Sequence, residues 1–115
     1  MNSNTNEARR FVIVIGEDGA LQTIATDGSI LSAAQEIIGS GVTSVPCMDK
    51  RFVVLHGHSE DGSHNPEASV LAQEYVTGKA VVACGPAARL KGFSKYGAKD
   101  TIKYLRGLLR RDRHV

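Results

Sequence analysis

The sequence predicts an α+β domain: a mixed or antiparallel sheet of four to five strands, with helices packed on one face and a basic amphipathic helix at the C-terminus. Three observations carry that expectation. Short β-branched runs recur between turn residues. Two stretches show apolar residues at helical spacing behind capping residues. Strands and helices do not alternate as a doubly wound fold would require.

The chain of 115 residues fits one domain. A polar N-terminal arm is expected over residues 1–10, and a single domain over 11–115. Phe11 to Ile15 is β-branched and aromatic, Glu17-Asp18-Gly19 is turn chemistry, and Leu21 to Ala25 resumes the strand pattern, so a hairpin is expected. Asp27-Gly28-Ser29 then offers caps to a helix carrying Ile30, Leu31, Ala33, Ala34, Ile37 and Ile38, closed by Gly39.

Val42 to Cys47 and Phe52 to His56 read as a second hairpin. Pro46 cannot donate to a ladder, which puts its strand at an edge or ends it there. Asn65 and Pro66 open a second helix, expected to run to Val76 at its last turn with Gly78 as the stop. Ala80 to Ala83 is wholly apolar, as a central strand covered on both faces would be. Gly85 to Gly97 reads as a loop, and residues 98–111 as the last helix.

Composition excludes several classes. An apolar share of 42% with 23% charged residues is that of a globular chain. No apolar run reaches the roughly 20 residues that span a bilayer. The polar start lacks a secretory core, so a cytoplasmic setting is expected. Cys47 and Cys84 follow β-like runs without basic sequence neighbours, and are expected as reduced, unreactive thiols.

Charge is strongly segregated. Residues 1–88 hold five Lys/Arg and ten Asp/Glu, whereas residues 89–115 hold nine Lys/Arg against Asp100 and Asp112. Clustered cations repel one another unless solvent or a counter-charge stabilises them, so an anionic partner is expected at this end. The candidate contact residues are Arg89, Lys91, Lys95, Lys99, Lys103, Arg106, Arg110 and Arg113. On a helical wheel Ile102, Leu105 and Leu109 share one face, and the cations from Lys99 onward share another roughly 100° away. Phe93 and Tyr96 interleave with the first cations, and aromatics so placed can stack on unpaired bases. The readings are a protein or nucleoprotein partner, nucleic acid itself, an oligomer in which this helix meets the acidic body of a second copy, or a plain solvated face whose late cations complement the helix dipole.

A second constellation is His56-Gly57-His58, with Glu60, Asp61 and His64 behind it. Residues two apart on a strand share a face, so His56 and His58 could chelate one metal, zinc being the ion such ligands suit, with His64 completing the site. The spacing matches no established zinc signature, and Ser59 to Asn65 has the composition of an exposed loop. Neither a phosphate-binding loop nor a nucleophile with a base beside it is present in the sequence, so no cofactor and no catalytic residue is expected.

Several short motifs resemble domain-of-unknown-function family 3846, small α+β proteins associated with phages and mobile elements. They are the Asp18-Gly19 turn, the helix ending in Ile37-Ile38-Gly39, the Val45-Pro46 strand end, Asp61-Gly62 leading to Asn65 and Ala68, and the Gly78 turn into Ala80 to Ala83. The likeness runs from about residue 11 to 85 and leaves out the paired histidines and the basic tail. It implies a non-enzymatic accessory or host-interaction protein, for instance an inhibitor of a host defence complex. The competing expectation is a metal-binding protein or metal-dependent hydrolase built on His56, His58 and His64.

Overall fold

A computed structural model describes residues 10–39, 41–57 and 62–113. Its five strands are β1 (Arg10–Ile15), β2 (Leu21–Thr26), β3 (Thr43–Pro46), β4 (Phe52–His56) and β5 (Ala80–Cys84). They form one antiparallel sheet in the order β2-β1-β5-β4-β3. Three α-helices accompany it: α1 (Ile30–Ile38), α2 (Pro66–Ala72) and α3 (Lys95–Arg113). The expected N-terminal arm lies outside the described residues up to position 9, and Arg10 opens β1.

Both hairpins form as the sequence indicates. The Gly16 N–H bonds the Ala20 carbonyl at 2.9 Å and the Gly19 N–H returns to Gly16 at 3.0 Å, a turn that needs Gly19 at φ +88°. That is the glycine of a bulged hairpin, where an ordinary side chain would be strained. Pro46 ends β3, which is an edge strand, so its missing N–H breaks no ladder. β5 occupies the centre, as its wholly apolar sequence requires.

The helices do not share one face of the sheet, which corrects the expectation. Val12, Val14, Val53, Leu55, Val81 and Ala83 pack under α1 through Ile30 and Ala34. Ile13, Ile15, Val54 and Val82 point the other way and pack under Ala68 and Leu71 of α2 and Leu105 and Leu109 of α3. Successive residues of a strand face opposite sides, so strands apolar at every position must be covered twice.

Two helix boundaries also move. α2 stops at Ala72 because Gln73 adopts the left-handed conformation at φ 57°. Val76 is buried beyond the helix, its N–H held by Ser69 Oγ at 2.9 Å. α3 begins at Lys95 because the Ser94 hydroxyl accepts the Gly97 N–H at 3.0 Å and its carbonyl accepts the Ala98 N–H at 2.9 Å. The stretch read as a loop is therefore ordered at both ends. Lys91 pairs with Cys84, and Phe93 with Phe11, inserting a short extended segment beside the centre of the sheet.

Asn65 ties these layers together. It is fully buried and caps α2 by accepting the Ala68 N–H at 3.1 Å. Its amide donates to the carbonyls of Ile15 at 3.1 Å and Gly78 at 2.8 Å. Every polar atom of that side chain is thereby satisfied, as burial demands.

Candidate functional site

The site is assembled on α3, and apolar docking sets its orientation. Ala98, Leu105 and Leu109 are buried in the core, with Ile102 and Leu108 packed against it. The cations Lys95, Lys99, Lys103, Arg106 and Arg110 recur every three or four residues and so line one flank of the helix. Over that interval the stripe is about 22 Å long at 1.5 Å per residue. All five are exposed, as are Arg89 and Lys91 on the segment ahead of the helix. Arg113 falls on the same stripe by position, but its side chain lies outside the described residues.

Among the described residues no carboxylate upstream forms an ion pair with this stripe. The ion pairs there are Arg51 with Asp49 and His56 with Glu74, and neither uses a cation of α3. Glu67 of α2 nevertheless lines a cavity with Arg106 and Arg110, beside Gly19 of the β1–β2 turn, so the C-terminal part of the stripe has a carboxylate near it. Glu17 and Asp18 sit in the β1–β2 turn, where Glu17 accepts the Ser63 N–H at 2.8 Å and Asp18 the Ala20 N–H at 3.0 Å. Glu36 rides on α1, across the sheet from α3.

One aromatic of the pair singled out in the sequence is unavailable. Phe93 is buried, its ring 5.9 Å from that of Phe52, so it cannot stack on a base, which corrects that expectation. Tyr96 remains 75% exposed between Lys95 and Lys99.

Sequence reasoning missed the clasp that orients the helix. Asp49, in the β3–β4 turn, accepts from Arg51 Nε at 3.1 Å and Nη2 at 2.8 Å, and from the Tyr104 hydroxyl at 2.6 Å. The Arg51 guanidinium lies over the rings of Phe52 and Tyr104, 5.2 and 5.3 Å from their centres. Hydrogen bonds from Arg51 and then Tyr104 hold the Asp49 carboxyl well below the usual carboxylate range. The same carboxylate pushes the Tyr104 phenol up. Asp49 and Arg51, two residues apart in a turn, were a legible local pair, whereas Tyr104 stands 55 residues away. Because Tyr104 holds one flank of α3 against this turn, the cationic flank is presented on the opposite side.

His56 and His64 each have partners within the fold. His56 is 2% exposed, with Nε2 2.8 Å from a Glu74 carboxylate oxygen and Nδ1 3.1 Å from the Gly57 carbonyl. Both ring nitrogens thus lie within hydrogen-bond distance of an oxygen of the fold. His64 stacks on Tyr75 with ring centres 4.7 Å apart and meets Ser69 Oγ at 3.3 Å. His58, with Glu60 and Asp61, lies outside the described residues. Among the described residues no three His, Cys, Asp or Glu side chains gather as a metal site.

The cysteines are free, Cys47 buried and Cys84 half-buried. Burial pushes both thiols up, with Lys91 opposing it weakly at Cys84. Among the described residues no helix is long and apolar enough to cross a membrane. The chain matches no family model, no curated protein and no solved structure.

Proposed function

We propose that this chain is a non-enzymatic accessory protein that binds an anionic partner through the cationic flank of α3. One observation carries the reading: five exposed Lys and Arg side chains lie along a firmly docked helix, and among the described residues none of them is held in an ion pair. Fixed cations on a rigid scaffold attract an anionic surface at little entropic cost, since the helix is already ordered. A phage-type setting, including inhibition of a host defence complex, is what the resemblance to family 3846 implies for such a binder.

The test reverses Lys99, Lys103, Arg106 and Arg110 to Glu together. Binding to immobilised heparin, used as a generic polyanion, is expected to vanish while the far-ultraviolet circular dichroism spectrum stays unchanged. Equal retention of wild type and variant across a salt gradient would remove α3 as the binding element.

A further inference from the structure

The partner-facing surface is more than a charged helix, because the stripe stands beside an open sheet edge. Among the described residues β2 is the outermost strand, paired only with β1. The Gly16–Ala20 hydrogen bond fixes the phase of that ladder, making Val14 with Gln22 and Val12 with Ile24 the hydrogen-bonded pairs. Leu21, Thr23 and Ala25 therefore aim their N–H and C=O groups away from the sheet. Such a row is a template for one more strand.

α3 lies against β1 and β2, and Arg106 and Arg110 line a cavity with Gly19 and Leu21 at the start of β2 and with Glu67 of α2, so it is Lys95, Lys99 and Lys103 that stand away from any carboxylate of that cavity. Tyr104, on the other flank, is tied to Asp49. The cationic flank thus overlooks the β2 edge. Thr23 stands opposite Ile13 and shares the α3 side of the sheet, as does Ala25, and both are small and exposed. On the reverse side Ile24 is 38% exposed.

We infer that β2 accepts an extended acidic polypeptide segment of a partner protein as a sixth strand, with alternate carboxylates meeting the α3 stripe. This rests on the reading of α3 as an anion-binding element. An added strand would sit about 4.8 Å beyond β2, with side chains alternating between the two faces. Carboxylates on one face would meet Lys and Arg, and apolar groups on the other would cover Ile24.

A second copy fits this edge poorly. Antiparallel β2-to-β2 pairing brings both α3 helices to the same side of the joined sheet, where two cationic flanks would face each other. Like charges so placed oppose the contact. Nucleic acid could satisfy the cations but would leave the β2 backbone groups without a matching ladder.

The test uses a fluorescent, alternating Glu-Val peptide of about eight residues, long enough to span β2. Its partner reagent is the same peptide N-methylated at alternate residues, in two versions that block either set of amides. Binding of the parent peptide is expected, with one N-methylated version weakened about tenfold, the effect of losing one or two backbone hydrogen bonds. Thr23→Pro should weaken it similarly, since that N–H takes no part in the β1 ladder. The methylated peptides carry the test on wild-type protein should Thr23→Pro fail to fold. Absent peptide binding, or binding indifferent to both N-methylations, overturns the inference. If a DNA duplex alone binds, the peptide partner is overturned while the anion-binding reading stands. If reversing Lys103 and Arg106 to Glu leaves all binding unchanged, the reading of α3 itself falls.

Discussion

Replacing Asn65 by Ala would cut a buried side chain that joins α2 both to β1 and to the chain entering β5. Three hydrogen bonds disappear: two from the amide to the carbonyls of Ile15 and Gly78, and one from the Ala68 N–H. Asn65 and Ala68 are fully buried, so the abandoned groups do not regain bulk water without local opening. At about 1 kcal/mol net per bond, rising where a buried group stays unpaired, the loss is about 3 kcal/mol. That is a large part of the roughly 5–15 kcal/mol by which a domain is stable. Urea titration followed by circular dichroism reads it directly, and with a slope of about 1–3 kcal/mol per molar the midpoint should fall by roughly 1–3 M. Asn65→Asp is the sharper control. It keeps the cap oxygen but aims a carboxylate at two carbonyls, so its folded state holds a proton more tightly than its unfolded state. Stability of that variant should therefore fall as pH rises from about 4. A midpoint shift below about 0.5 M for Asn65→Ala, or a pH-independent Asn65→Asp, would show that the amide bonds contribute little.

Two further outcomes follow from titrating groups. The folded Asp49 carboxyl sits below its unfolded value of about 3.9, so its contribution is complete above about pH 4 and is lost as pH falls through the folded value. Thermal melts should show Asp49→Asn less stable than wild type at neutral pH, with the gap narrowing on acidification; a gap that widens in acid would refute the clasp. Labelling with Ellman's reagent at neutral pH should be slow at both thiols and slower at the buried Cys47 than at half-buried Cys84, since burial raises both. Immediate reaction at Cys47 would contradict its placement.

The local elements were legible where local chemistry decides them. Glu17-Asp18-Gly19 announces a bulged hairpin because only a few residue types tolerate its left-handed position. Asn65-Pro66 announces α2 because cap and first helical residue are adjacent. What failed was set by distant partners. Tyr75 and Val76 continue the helical spacing past the end of α2, yet Val76 is buried in the core beyond a left-handed Gln73. α3 was read too short because Gly97 outweighed Ser94, a cap three residues ahead of it. The single-faced sheet was an error of consistency: the runs Phe11 to Ile15 and Phe52 to Leu55 are as continuously apolar as Ala80 to Ala83, and carry the same two-sided implication. At the site, the spacing of the cations revealed their common flank. It could not reveal which way that flank faces, because the Tyr104–Asp49 clasp and the edge position of β2 are products of strand order.

The stripe also bears on why such a helix should exist at all. Lys95 and Lys99, Lys99 and Lys103, and Arg106 and Arg110 are like charges four residues apart, each pair opposing the helix by about 0.2–0.5 kcal/mol. A face required only for solubility is served as well by alternating signs, which turn the same pairs from repulsive to attractive. In the isolated protein the uniform stripe is a standing destabilisation, offset by the burial of Leu105 and Leu109. Lys99→Glu separates the two roles. It converts two repulsive pairs into attractive ones, so the melting temperature should rise slightly while retention on a polyanion falls. Were the variant less stable, Lys99 would have an intramolecular partner and the stripe would belong to the fold; were it more stable and bound as tightly, the stripe would have no bearing on the partner. Only opposite movement of stability and binding is consistent with cations arranged for the charge of a partner.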